Sequence, residues 1–250
     1  MHDAVLDPRQ LTGLAASHVV AVPGQGCLLH PAAAQAWLAL QAAAAAEGLQ
    51  VQAVSGFRDF ERQRLIWNGK CRGELPLLDG QCQPLEARSL APAQRVAAVL
   101  RWSALPGASR HHWGSDLDVI DAAVLAPGQP VSLLPADYAA GGVFARLGQW
   151  LDSGAAEDFG FFRPYARDLG GVQPEPWHLS WAPLAVPALQ ALTPDCLATA
   201  LREADLEDAD VVLAQLPQLH ARFVCAVEAP SARALAALRA GQLRVQDRLM

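Results

Sequence analysis

The chain has 250 residues, 52% hydrophobic and 18% charged, with 19 basic against 25 acidic residues and a formal charge of −6. That balance supplies material for a core and excludes a disordered chain. It also lacks the basic footprint of a nucleic-acid binder. In chain order, residues 31–47 read as a helix, with Pro31 at its first position, alanines through its body and Gly48 to close it. Residues 49–54 alternate apolar and polar and run into Ser55-Gly56, which predicts a short strand and a turn. A second helix is expected over 58–68, a Gly/Pro/Cys-containing loop over 69–91 and a third helix over 92–105. A loop at 106–114 feeds a strand at 115–120, followed by an irregular Pro-containing stretch to 138 and a helix over 142–152. Residues 159–165 read as an extended aromatic segment, and 174–181 as a turn leading into a strand.

Past Pro183 the composition turns helical, with breaks at Pro194, Pro217 and Pro230 and Gly241 placed to end a helix through Leu235 and Leu238. The organisation expected is an α+β domain over 1–185 and a helical appendage over 186–250. The acidic run 203–210 is expected to be a solvated helix start.

The first residues carry no basic segment followed by an apolar run, and the alanine-rich stretch 32–46 is interrupted by Gln35 and Gln41. No membrane span is expected, and the localisation expected is cytoplasmic, or periplasmic if a leader has been removed. Cys27, Cys71, Cys82, Cys196 and Cys225 are widely spaced with no CxxC pair, so a cysteine-rich zinc site is not expected. Free thiols are the simpler reading, with a Cys71–Cys82 pair the alternative in an oxidising compartment.

Two clusters carry chemistry. The first is Ser109-Arg-His111-His-Trp-Gly114-Ser-Asp116-Leu-Asp118. Asp116 and Asp118 are two apart on a strand and so share a face. Two acids beside a histidine are expensive to bury without a cation, and a metal removes that cost. The second is Glu175-Pro-Trp177-His178, in which a glutamate can place a base near a metal-bound water and Pro176 excludes a helix. Hydrolytic zinc sites combine three such ligands with an open position.

The two clusters resemble the zinc D-alanyl-D-alanine carboxypeptidases of the VanY type, within the LAS-type peptidases, which carry Ser-x-His-x-x-Gly-x-Ala-x-Asp and Glu-x-x-His in this order. Upstream, Ser55-Gly56-Phe57-Arg58-Asp-Phe60-Glu61-Arg62-Gln63 is similar to the family's Ser-Gly-Tyr-Arg-Ser segment. The resemblance implies a LAS/Hedgehog-like fold with a small, mainly antiparallel sheet, flanking helices and a zinc cleft. It implies His111, Asp118 and His178 as zinc ligands, Glu175 as the catalytic base and Arg58 facing the oxyanion. Ser109 and Gln63 are implied as substrate-binding groups, and Trp177 as packing behind the site. His112 does not fit the ligand spacing.

Asp116 departs from the family's small residue. It can bind a substrate ammonium, lie behind the ligands or compete as one, and it is grouped here with the substrate-binding residues. The expected function is hydrolysis of short peptidoglycan-type peptides containing D-amino acids. The alternatives are an L,D-carboxypeptidase, a D,D-dipeptidase, an endopeptidase, a zinc-binding module without catalysis, or an interaction protein acting through its C-terminal helices.

Overall fold

The computed structural model describes residues 6–126 and 128–236. His2, Leu238 and Gly241 lie outside the described residues. A short helix α1 (Pro8–Leu11) precedes a two-stranded hairpin, β1 (Val20–Ala21) and β2 (Leu28–Leu29), and the long helix α2 (Pro31–Ala46). Strand β3 (Val51–Ser55) leads into α3 (Phe60–Arg72), and α4 (Pro92–Leu100) follows a loop. Then come β4 (Asp116–Asp121), α5 (Pro135–Tyr138), α6 (Ala145–Asp152), β5 (Phe161–Phe162) and β6 (His178–Trp181). The chain goes on through α7 (Ala182–Ala191), α8 (Pro194–Leu201), α9 (Ala209–Ala214) and α10 (Leu216–Leu219). The architecture is α+β, with flanking helices around a four-stranded antiparallel sheet of order β3-β4-β6-β5.

Local chemistry sets these boundaries. Asp59 caps α3 by accepting a hydrogen bond from the Arg62 amide at 2.7 Å, and Gly73, at φ 72°, ends it beyond Lys70 and Arg72. The helix therefore runs four residues past its expected end at Asn68. On α2, Pro31 opens the helix and the His30 side chain accepts from the Ala32 amide. The helix buries Trp37, Leu40 and Ala44.

Alternation along β4 divides the sheet. Leu117 and Val119 join Leu179 of β6 in an apolar cluster with Trp37, Leu147 and Phe161. Asp116 and Asp118 face the other way, beside His178. A second apolar cluster contains Trp67, Val96, Val99 and Trp113 together with Leu184, Leu197, Leu201 and Val212. Helices α7 to α10 thus share buried contacts with α3 and α4.

The acidic run at 203–210 opens α9 and leaves Glu203, Asp205 and Asp210 exposed, as expected, but it also serves in packing. Asp208 pairs with Arg95 at 2.6 Å, and the Asp205 and Glu207 carbonyls accept hydrogen bonds from Asn68 and Trp67 of α3. Those partners lie more than a hundred residues away, outside any local pattern. All five cysteines are free.

Two scaffold features behind β4 give testable consequences. Gly114 sits at φ 69°, and a Cβ there would lie 2.5 Å from Val19 Cγ1 and 2.8 Å from the His30 backbone nitrogen. Gly114→Ala should cost about 3 kcal/mol or more in urea unfolding. Gly24→Ala, at φ 73° with nothing within 4 Å, should cost only about 1 kcal/mol. Equal losses at the two positions would show that the close approach at Gly114 is unimportant. His112 is fully buried, with Nδ1 donating to the Arg58 carbonyl at 2.6 Å and Nε2 accepting from the Gly107 amide at 3.1 Å. Burial pushes its pKa down to about 3. The unfolded chain binds that proton near the ordinary histidine value and the folded chain does not, so stability falls as pH drops below about 6.5. In metal-free protein between pH 6 and 4, wild type should lose up to about 1.4 kcal/mol per pH unit more than His112→Gln. Parallel pH–stability curves for the two proteins would contradict this.

Candidate metal centre

The centre is assembled by one turn and one strand pair. Residues Arg110–Trp113 form a single 3₁₀ turn, ended by Gly114, that presents His111 toward the sheet. The β4–β6 register sets Asp118 directly opposite His178. Cross-strand partners on one face have neighbouring side chains. One ligand atom each from His111, Asp118 and His178 lies within 4.8 Å of the others.

Both imidazoles are held in defined orientations. His111 Nδ1 lies 2.8 Å from the Gly56 carbonyl, which can only accept, so Nε2 keeps its lone pair free. His178 Nε2 lies 2.9 Å from Asp116 Oδ1, so Nδ1 is the nitrogen turned toward the centre. His111 Nε2 is 3.3 Å from Asp118 Oδ2, and His178 Nδ1 is 3.2 Å from Asp118 Oδ1. A tetrahedral zinc with bonds of about 2.0–2.1 Å spaces its ligands roughly 3.3 Å apart. Asp118 Oδ1 is nonetheless a buried oxygen without a hydrogen-bond partner. The donors of the three residues lie close enough to share one cation, and the residues present fit a divalent zinc.

Electrostatics agree with a cation-binding site. Burial pushes the Asp118 carboxyl up, but His111 and His178 outweigh it and hold it well below the usual carboxylate range. For Asp116 burial acts the same way and is overcome by Arg110, His178 and Ser115. Burial lowers His178, yet Asp116, Asp118 and Glu175 together raise it well above the ordinary histidine value. Three carboxylates thus converge on one imidazole.

Around the centre lies a cleft of about 420 Å³. Arg58, Ser109, Glu175 and Trp177 line it, together with Lys70 and Tyr165. Glu175 Oε2 stands 3.4 Å from His178 Nδ1, and the turn between them is closed by the His178 amide donating to the Glu175 carbonyl at 3.1 Å. Arg58 donates from Nη1 to Gln63 at 2.7 Å and from Nη2 to Ser55 at 3.1 Å. Its own amide donates to the His111 carbonyl at 3.2 Å, which ties the arginine to the ligand turn.

Two expected placements are corrected. Asp116 was grouped with substrate-binding residues, but it is fully buried behind His178, paired with Arg110 at 2.9 Å. The same-face argument holds for 116 and 118, but the His178 ring stands between Asp116 and the cleft. Gln63 is likewise fully buried, with its amide spent on Arg58 and on the Ala104 carbonyl at 2.7 Å, so it positions the arginine and reaches no substrate. Sequence reasoning did not single out Arg110, Tyr165 or Lys70. Arg110 had a signal in its position beside His111, and it is buried between the Trp113 and Phe162 rings. Tyr165 packs edge-on to His178 at 5.1 Å, and its hydroxyl is pushed up to about 12, chiefly by burial. Among the described residues, His18, His30 and His220 give no atom to the cluster.

Comparison with known proteins bears on this geometry. The chain is 44% identical over 103 residues, 40% of its length, to an uncharacterized protein of Haemophilus influenzae, of which the match covers 70%. It is 29% identical over 139 residues, 54% of its length, to a D-alanyl-D-alanine carboxypeptidase of Enterococcus faecalis, of which the match covers 41%. Among solved structures it resembles VanYB in complex with D-alanine-D-alanine, with 22% identity and a TM-score of 0.50 over 76% of this chain and 91% of that one. That likeness is one of fold. The model of the VanY family, described as D-alanyl-D-alanine carboxypeptidase, matches residues 26–184, which include β3, β4, β6 and the whole candidate centre, and the chain belongs to this family.

Proposed function

We propose that the protein is a zinc-dependent carboxypeptidase that removes the last residue from short peptides ending in D-alanine, of the kind found in peptidoglycan stems. The observation that carries this reading is the gathering of one ligand atom each from His111, Asp118 and His178 within 4.8 Å of one another, with a buried Asp118 oxygen left without a hydrogen-bond partner and Glu175 beside them. The family's described activity supplies the substrate class.

His111, Asp118 and His178 would hold the zinc. When bound, zinc acts as a Lewis acid that polarises a carbonyl and acidifies water. The Glu175 carboxylate takes the proton from the attacking water and later gives it to the departing amine. Arg58 meets the charge that develops on the scissile carbonyl oxygen. Gln63 and Ser55 already hold its guanidinium, so little reorganisation is needed as that charge grows. Burial lowers the Arg58 pKa, with Asp118 and Glu175 opposing, and an arginine stays cationic through that change. Tyr165 and Trp177 wall the cleft and thin out bulk water. Asp116 and Arg110 act from behind by fixing which His178 nitrogen faces the centre.

Metal analysis with assays of D-alanine release from D-alanine-terminated peptides tests this reading. Purified protein should hold about one zinc per chain and lose activity on chelation. Glu175→Gln should keep the zinc and lose about 10²–10⁴-fold in kcat. Absence of zinc even after reconstitution would remove the reading, and full activity in Glu175→Gln would remove the base assignment. Asp116→Ala should weaken zinc binding about 10–100-fold in a chelator competition, while Asp116→Asn, which keeps an acceptor for His178, should lose less. Unchanged zinc affinity in both would show that Asp116 does not orient the ligand.

A further inference from the structure

The turn that carries His111 is short. Residues Arg110–Trp113 make a single 3₁₀ turn, in which the His112 amide donates to the Ser109 carbonyl at 3.0 Å and the Gly114 amide to the His111 carbonyl at 3.4 Å. Hydrogen bonds in 3₁₀ turns are poorly aligned, so a turn of this length keeps a side chain steady only with help from its surroundings. Part of that help comes from the Gly56 carbonyl and the Arg58 amide. The rest comes from residues 11–18, which precede the region 26–184 matched by the family model.

This segment is joined both to the turn and to the start of α3. Trp113 Nε1 donates to the Leu11 carbonyl at 3.1 Å, and the Phe60 amide donates to the Gly13 carbonyl at 2.9 Å. Gly13, at φ 75°, closes on the His112 ring so tightly that a Cβ there would collide with Nδ1. His18 then reaches the turn itself. Its Nε2 lies 2.8 Å from the His112 carbonyl, which can only accept, so Nε2 is the donor. That leaves Nδ1 without a proton, and this nitrogen is buried with no hydrogen-bond partner. A bare buried nitrogen carries a cost. An apolar side chain would fill the space beside Phe57, whose ring stands edge-on at 5.6 Å, without that cost. What the imidazole adds is the bond from its other nitrogen.

We propose that His18 is a positioning residue for the candidate metal ligand His111, acting through the His112 carbonyl, and that residues 11–18 complete a centre whose ligands all lie further along the chain. This rests on the zinc reading above. His18 gives no atom to the ligand cluster. Its N–H holds the carbonyl of the residue after the ligand, and the Trp113–Leu11 bond holds the end of the turn. The same segment reaches Arg58 by two routes, through the Phe60 amide and through His112, whose Nδ1 donates to the Arg58 carbonyl at 2.6 Å. The ligand turn and Arg58 are thus steadied against one strip of chain. Partners that orient a ligand from behind set metal affinity nearly as the ligands themselves do.

The test reads metal affinity apart from stability. Zinc affinity is measured by chelator competition, and urea unfolding is followed on the metal-free proteins. His18→Leu, which fills the space and removes the donor, should weaken zinc binding about 10-fold or more. His18→Gln, whose side-chain amide can offer an N–H in the place of Nε2, should recover most of that loss, which general damage to the fold would not allow. Leu40→Ala, in the apolar cluster behind the sheet, should lower stability and leave zinc affinity unchanged. With cobalt(II) in place of zinc, the visible spectrum should change in His18→Leu and return in His18→Gln. Unchanged zinc affinity in His18→Leu overturns the proposal. So does equal weakening in His18→Leu and His18→Gln, or a loss in Leu40→Ala as large as that in His18→Leu. Wild-type protein that binds no zinc overturns it together with the peptidase reading. Parallel assays of D-alanine release keep the two apart otherwise. Zinc binding that depends on His18 without hydrolysis leaves the positioning role standing and removes the peptidase. Hydrolysis with a zinc affinity indifferent to His18 does the reverse.

Discussion

The register between β4 and β6 is the constraint on which the rest of the centre depends. It pairs Asp118 with His178 and Asp116 with Ser180. Side chains alternate along a strand, so a slip of one residue would turn Asp116 and Asp118 into the apolar cluster with Trp37 and bring Leu117 and Val119 to the centre. Hydrophobic burial of Leu117, Val119 and Leu179 on one face of the sheet therefore fixes the positions of two candidate ligands on the other. The third candidate ligand, His111, comes from outside the sheet. Its turn is held by the Arg58 amide donating to the His111 carbonyl and by His111 Nδ1 against the Gly56 carbonyl. Both partners sit just past β3, whose pairing with β4 shifts register between Ala53 and Ser55. The irregularity lies where the strand leaves the sheet to deliver Arg58.

Behind the ligands lies a buried chain of charge, Arg110 to Asp116 to His178. A buried ion pair is weak evidence of stability, because desolvating both partners consumes much of the attraction. Here the chain has a different use. Asp116 holds the His178 ring from the side away from the centre, and Arg110 keeps Asp116 ionised. The Trp113 and Phe162 rings sandwich the guanidinium, which leaves Arg110 few alternative positions. A small residue at 116, as in the family pattern, would leave Arg110 buried without its carboxylate. Asp116 and Arg110 make physical sense only together.

Much of this was legible in the sequence. The strands carrying Asp118 and His178 followed from alternation and turn residues, and the spacing of the two clusters led to the family. What stayed hidden was hidden for identifiable reasons. The face shared by Asp116 and Asp118 is a matter of periodicity, but which of them sees the cleft depends on an imidazole supplied sixty residues later. Gln63 looked available because the Ala104 carbonyl that takes its amide nitrogen is brought to it by how the 101–109 segment packs on α3. The pairing of Asp208 and the use of the 205 and 207 carbonyls stayed hidden because Arg95, Trp67 and Asn68 are far off in the chain. Local pattern reports periodicity and caps well, and it is blind to long-range polar pairing.

Helix α3 links the chemistry to the C-terminal helices. One of its faces carries Gln63, Ile66 and Lys70 toward the cleft. The adjacent face carries Trp67, Asn68 and Cys71, and there Trp67 Nε1 donates to the Glu207 carbonyl at 3.1 Å and Asn68 Nδ2 to the Asp205 carbonyl at 2.8 Å. Asn68 Oδ1 in turn accepts from the Glu207 amide at 2.9 Å, so the side-chain amide is used at both ends. A rigid helix cannot rotate one face without the other. The angle at which Gln63 offers its oxygen to Arg58, and the line along which Lys70 enters the cleft, are therefore set in part by the docking of 205–208 on the far side. The C-terminal helices stand apart from the candidate centre, yet they hold the helix whose Gln63 positions Arg58, the group proposed to meet the oxyanion.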